Sequence, residues 1–184
     1  MNEPVFDPET MQDVSTPISD LLRPAVVLSL GLFILSVIPY LLRWGLPTSW
    51  NFGIGEILLT LLGLVVLVVA HEGVHALGWM IFGHVPPRDI RFGVDMKTLS
   101  PYAHARVPMH MAGYRIGAAL PGIITGILPT VIGTLIGNGW LTFLGAFMVT
   151  GAVGDLLVLW AIRAVPGDAR VLDHPSNAGC YVLK

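Results

Sequence analysis

The chain has 184 residues, is 54% hydrophobic and only 12% charged, and carries a formal net charge of −2. Its mean hydropathy is +0.73. Soluble domains carry about 25% charged residues, so this composition argues against a soluble α/β domain and for a polytopic membrane protein. No basic stripe supports a nucleic-acid partner, and a single cysteine, Cys180, excludes an intrachain disulfide.

In chain order, residues 1–20 hold Pro4, Pro8 and Pro17 among acidic residues with almost no apolar periodicity. They read as a flexible acidic leader without the basic n-region of a signal peptide. Four apolar stretches follow, each near the ~20 residues that span a bilayer: Pro24–Leu42, Ile57–Phe82, Ile116–Ile136 and Trp140–Ile162. Pro121 and Pro129 predict a kink or partial break in the third. Its pairs Gly113/Gly117, Gly122/Gly126 and Gly133/Gly137 allow close helix contact. Between the second and third spans, Ile90, Phe92, Val94 and Met96 alternate with Arg91, Gly93, Asp95 and Lys97, and Tyr102–Val107 alternates again. That is a strand period, and it predicts a short β-hairpin over Ile90–Val107 with a turn at Thr98–Pro101. The tail, 166–184, reads as loop because of Pro166-Gly167 and Asp173-His174-Pro175. The fold expected is therefore an all-α polytopic membrane protein with about four transmembrane helices and one β-hairpin loop.

Lys and Arg counts set the orientation. Arg23, Arg88, Arg91, Lys97, Arg106, Arg115, Arg163, Arg170 and Lys184 share one side, and Arg43 alone lies on the other. This predicts a multi-pass protein of the cell (inner) membrane with both termini and the hairpin in the cytoplasm. Trp44, Trp50 and Trp140 would then line the outer interface, and Trp79 and Trp160 the inner one.

Within the second span stands His71-Glu72-Gly73-Val74-His75. Ionisable groups at membrane depth mark a functional site. Residues i and i+4 share a helix face, so His71 and His75 can hold one metal ion with Glu72 beside it as general base. Catalytic zinc takes three protein ligands and leaves one position open. Asp155 is the candidate third ligand. His75 lies seven residues before Phe82 and Asp155 seven before Ile162, which places both ~10 Å from the inner ends of their helices. Gly151 and Gly154 would let the fourth helix approach the second. His174 is the rival third ligand. Tyr102, His104 and Arg106 are candidates for substrate binding or oxyanion stabilisation, although a polar hairpin face explains them as well.

The H-E-x-x-H helix with a late-span aspartate resembles the site-2-protease-type intramembrane zinc metalloproteases. A closer resemblance, over Ile57–Leu183, is to a family of small bacterial membrane proteins described as putative zincin peptidases. It rests on the H-E-x-x-H helix, Leu99-Ser100-Pro101-Tyr102-Ala103-His104, Tyr114-Arg115-Ile116-Gly117, Leu120-Pro121-Gly122, Gly154-Asp155 and Asp173-His174-Pro175. In the broader group a glycine usually follows the aspartate; here Leu156 does. The resemblance implies Zn²⁺ held by His71, His75 and Asp155, with Glu72 as the catalytic acid/base. It further implies a single transmembrane metalloprotease-like domain over 21–165, followed by a cytoplasmic tail. The activity expected is a zinc-dependent intramembrane endopeptidase cutting a membrane-anchored protein near the cytoplasmic face. The alternative is a non-hydrolytic metal-binding membrane protein, either a pseudoprotease or transporter-like. The partners expected are the lipid bilayer and a transmembrane or membrane-anchored protein substrate, with a homo-oligomer left open.

Overall fold

The computed structural model describes residues 7–46, 53–96 and 100–184. Trp50, Lys97 and the Thr98-Leu99 part of the expected turn lie outside the described residues. Four helices are long and apolar enough to cross a membrane: Ile18–Trp44, Ile54–Phe82, Met111–Ile136 and Gly139–Ala161. The first two, α1 (Ile18–Trp44) and α2 (Ile54–Phe82), run unbroken for 27 and 29 residues. Their outer faces are apolar; Val27 is 72% exposed and Leu42 83%. Water penalises such faces and hydrocarbon does not, which suits helices that cross a membrane.

The third span has three parts: α3 (Met111–Pro121), a π-type turn over Gly122–Ile127, and α4 (Leu128–Ile136). The prolines therefore widen the helix rather than break it. The Leu128 N–H bonds back five residues to the Ile123 carbonyl, the pattern of a π turn. Pro129 falls in the first turn of α4, directly after the π turn. The span opens at Met111 rather than Ile116, so Arg115 lies inside α3 and not in the preceding loop. In the fourth span, α5 (Gly139–Gly151) and α6 (Val153–Ala161) meet at Ala152, whose ψ of 4° is not helical. Asn138 caps α5, accepting from the Leu141 N–H at 3.0 Å.

Not all of the chain is helical. A four-stranded sheet, which the sequence reading did not anticipate, has the order β1-β6-β5-β4. Its strands are β1 (Met11–Thr16), β4 (Met109–His110), β5 (Arg170–Asp173) and β6 (Ala178–Leu183). The segment read as a flexible leader thus supplies β1, and the tail read as loop supplies β5 and β6. β1 pairs with β6 from Met11↔Leu183 to Thr16↔Ala178. Backbone groups that neither segment could satisfy alone are satisfied by the other, and Val171, Leu172 and Cys180 are buried in the process. Since β1 precedes α1 and β6 follows α6, both ends of the helical set meet on one face. The expected hairpin is present as β2 (Ile90–Asp95) and β3 (Ser100–Ala105), with Ile90 opposite Ala105 and Asp95 opposite Ser100.

The core lies where the sheet meets the helix ends: Trp79, Val85, Met109, Met111, Tyr114, Ile162, Val171 and Cys180. A fully buried Met or Val side chain contributes roughly 1.5–3 kcal/mol. Burial pushes the Cys180 thiol up to about 12, so it packs as an inert apolar group. The tightest helix contact is between α2 and α3. A Cβ on Gly78 would stand 2.7 Å from the Gly117 Cα, and one on Gly117 would overlap the Trp79 indole. Gly151 and Gly154, expected to bring the fourth span close to α2, instead face open space, with nothing within 4 Å of a Cβ. They flank the α5–α6 break, where their low helix propensity is in place. Gly78→Ala should therefore destabilise the protein by roughly 1–3 kcal/mol, whereas Gly154→Ala should be neutral or stabilising by up to ~1 kcal/mol. Thermal unfolding of both variants in detergent micelles checks the contrast.

Candidate metal centre

His71 and His75 lie one turn apart on α2, each only 7% exposed. With Glu72 they bring one potential ligand atom each to within 4.8 Å of one another. Each imidazole is fixed from behind by α3 and the π turn that follows it. The His75 Nδ1–H donates to the Gly117 carbonyl at 2.9 Å. His71 Nδ1 lies 3.2 Å from Thr125 Oγ1, and the Thr125 hydroxyl itself donates to the Pro121 carbonyl at 2.8 Å. A carbonyl only accepts, and a hydroxyl whose proton is committed also accepts. Both Nδ1 atoms therefore carry a proton, and in the neutral imidazoles both Nε2 lone pairs point forward.

They point at Asp155. Its Oδ2 lies 3.1 Å from His71 Nε2 and its Oδ1 3.3 Å from His75 Nε2. The depth match read from the sequence thus corresponds to a real convergence, although not one made by the glycines first credited with it. Asp155 reaches inward from the first turn of α6, the helix end that favours negative charge. The break at Ala152 creates that end.

In that neutral form two lone pairs and two carboxylate oxygens face one another with no proton among them to share. Such an all-acceptor set at membrane depth needs a cation. Nitrogen and oxygen ligands in this number suit Zn²⁺, and the hydrogen-bond acceptors on the Nδ1 side of each histidine, the Gly117 carbonyl and Thr125 Oγ1, orient it as metal-binding imidazoles require.

Glu72 is partly buried beside the histidines. Its carboxylate accepts a hydrogen bond from the Ala103 backbone N–H, so β3 lies against the site. The loop candidates have other attachments. His104 is bonded through Nδ1 to Asp173 Oδ2 at 2.8 Å, and the Tyr102 ring covers Gly93, where a Cβ would meet it at 2.5 Å. Arg106 follows β3, its N–H donating to the Asp89 carbonyl at 2.9 Å. His174, the rival ligand, sits in the β5–β6 turn. Its Nδ1 accepts from the Asn177 N–H at 2.7 Å, and its Nε2 lies 2.9 Å from the Tyr181 hydroxyl. Both nitrogens are thus used within the sheet, and burial holds the imidazole below the usual histidine range.

Residues 64–170 match the model of the family described as "Putative zincin peptidase". The chain belongs to this family. The matched segment contains His71, Glu72, His75 and Asp155, and the donor set fits the zinc in the family's name. A curated relative from Pyrococcus woesei, "Uncharacterized 24.7 kDa protein in gap 5'region", is 29% identical over 115 residues, covering 61% of this chain and 50% of that one. The chain thus spans about half the length of the curated relative it matches. No solved structure matches it significantly.

Thr125, the Gly117 carbonyl and the Ala103 N–H were not singled out by the sequence reading. Gly117 and Pro121 stand in motifs that carried the family resemblance without any assigned task. Thr125→Val keeps the shape of the side chain and removes the acceptor for His71. It should weaken zinc binding by about 10–100-fold, measured by competition with a chelator; unchanged affinity would show that Thr125 does not orient His71.

Proposed function

We propose that this protein is a zinc-dependent endopeptidase that cuts a membrane-anchored protein at the level of the bilayer, near its cytoplasmic face. The observation that carries the proposal is the convergence of the His71 and His75 Nε2 lone pairs on the Asp155 carboxylate, with Glu72 next to them on the same helix. Zinc held by these three side chains would polarise a scissile carbonyl and bring the pKa of a water to about 7. Glu72 takes the proton of the attacking water and delivers it to the leaving amine nitrogen as the C–N bond breaks. A metal store or carrier has no use for a carboxylate so placed, which favours hydrolysis over the non-hydrolytic alternative.

The setting supports a membrane substrate. The three α2 groups lie inside an apolar helix of 29 residues, and the excess of Lys and Arg on one side of the spans favours the cytoplasm for that face. A peptide bond inside an intact helix is shielded, so a transmembrane substrate must unwind to be cut. In β3, every second residue directs its N–H away from β2; these are Ala103, bonded to Glu72, and Ala105, bonded to Asp173 Oδ2 at 3.2 Å. An extended substrate adding to this edge would take over the Ala103 N–H from Glu72 and lie along the catalytic carboxylate.

Two outcomes test the proposal. Glu72→Gln should keep about one zinc per chain and lose peptide-bond hydrolysis by at least 100-fold, and full cleavage by this variant would sink the mechanism. Ala103→Pro leaves the β2–β3 ladder intact while removing the outward N–H. It should impair cleavage of a transmembrane substrate with zinc content unchanged, and unimpaired cleavage would remove the strand-addition step.

A further inference from the structure

Arg115 has no part in the chemistry above, yet its guanidinium makes two short contacts in the protein. Its Nη2 donates to the Ile162 carbonyl at 2.6 Å and to the Val165 carbonyl at 2.6 Å. Both acceptors lie just past the C-terminus of α6, where a helix leaves carbonyls without intrahelical partners. α6 is a helix of only nine residues, separated from α5 by the break at Ala152. Ala152 stays bonded on both sides, its N–H to the Met148 carbonyl and its carbonyl to the Leu156 N–H, so the break leaves open the tilt of α6 against α5 and not its position along the chain. α6 is attached by polar groups at each end: Asp155 in its first turn faces His71 and His75, and the carbonyls after its last turn are held by Arg115.

Two residues beyond Arg115, on the same helix, the Gly117 carbonyl holds the His75 Nδ1–H. α3 therefore grips both partners of the site. Through Gly117 it fixes an imidazole of α2, and through Arg115 it fixes the helix that bears the carboxylate. We propose that Arg115 is a positioning residue: by pinning the C-terminal end of α6 to α3, it sets the Asp155 carboxylate at the distance from His71 and His75 that zinc requires. The inference rests on the zinc reading of the site. A guanidinium is suited to the task because the two N–H bonds of its Nη2 serve both carbonyls at once, in fixed planar directions, while the group stays charged.

The test is zinc affinity by chelator competition on the full-length protein in detergent micelles, with four forms: unaltered, Arg115→Gln, Asp155→Asn and the double variant. Arg115→Gln should weaken zinc binding about 10–100-fold, the range for residues that orient metal ligands. In the Asp155→Asn background, where the carboxylate to be positioned is gone, the same substitution should cost little more. Equal fold-losses in both backgrounds would mean that Arg115 acts on the protein as a whole, and unchanged affinity would mean that it does not act at all; either overturns the inference while leaving the zinc reading in place. If Arg115→Gln does not accumulate folded, Arg115→Lys enters the same cycle, with a smaller loss expected and the same two results decisive. Absence of zinc binding by the unaltered protein would remove the zinc reading and this inference together.

Discussion

With both histidines neutral, two imidazole lone pairs and one carboxylate face one another inside an apolar helical bundle, and nothing within their set can donate a proton to the others. In water such an arrangement would be relieved by solvent; at membrane depth it has to be resolved by protons or a cation. The committed protons on the far side of each histidine, held by the Gly117 carbonyl and by a Thr125 hydroxyl already bonded to Pro121, leave a cation as the economical solution. Much of the surrounding architecture can be read as what keeps these four acceptor atoms together.

The arrangement depends on backbone proximity more than on polar attraction. Gly78 and Gly117 let α2 and α3 approach until a methyl group on either would collide with the other helix, and only at that separation can a main-chain carbonyl reach His75. The π turn after Pro121 carries Thr125 on the same side of the bundle as His71. His75 then stacks on Trp79 at 5.4 Å, and Trp79 on Tyr114 at 6.0 Å. Tyr114 donates to Asp173 at 2.8 Å. Asp173 also accepts from His104 and from the Ala105 N–H, which ties β3 to β5. A continuous set of packed rings and hydrogen bonds thus joins the buried histidines to the small sheet outside the bundle.

What could be read from the sequence was whatever depends on local period or on single rare residues. Four apolar runs, a strand alternation over Ile90–Met96, and H-E-x-x-H in a hydrophobic helix each declare themselves within a short window. Asp155 was singled out because helix rise is fixed, so equal distances from two helix ends imply equal depth. The sheet order was hidden because β1 and β6 lie at opposite ends of the chain, and each, rich in polar or small residues, is a weak strand until it meets the other. Gly151 and Gly154 misled for a related reason: a small residue marks a close approach or a helix break equally well, and only the neighbouring helix decides which. The orienting groups behind the histidines were invisible because a carbonyl belongs to every residue and a threonine in a membrane helix is commonplace. Which of them faces an imidazole is set by the register of α2 against α3.

The measurement that bears most directly on the site is X-ray absorption at the zinc edge on the purified, zinc-loaded protein, with metal content determined alongside. The structure predicts about one zinc per chain in a shell of nitrogen and oxygen only, at roughly 2.0–2.2 Å, with the imidazole scattering signature lost or halved in His75→Ala. A shell containing sulfur, or an unaltered signature in His75→Ala, would contradict the assignment of His71, His75 and Asp155 as the metal-holding set.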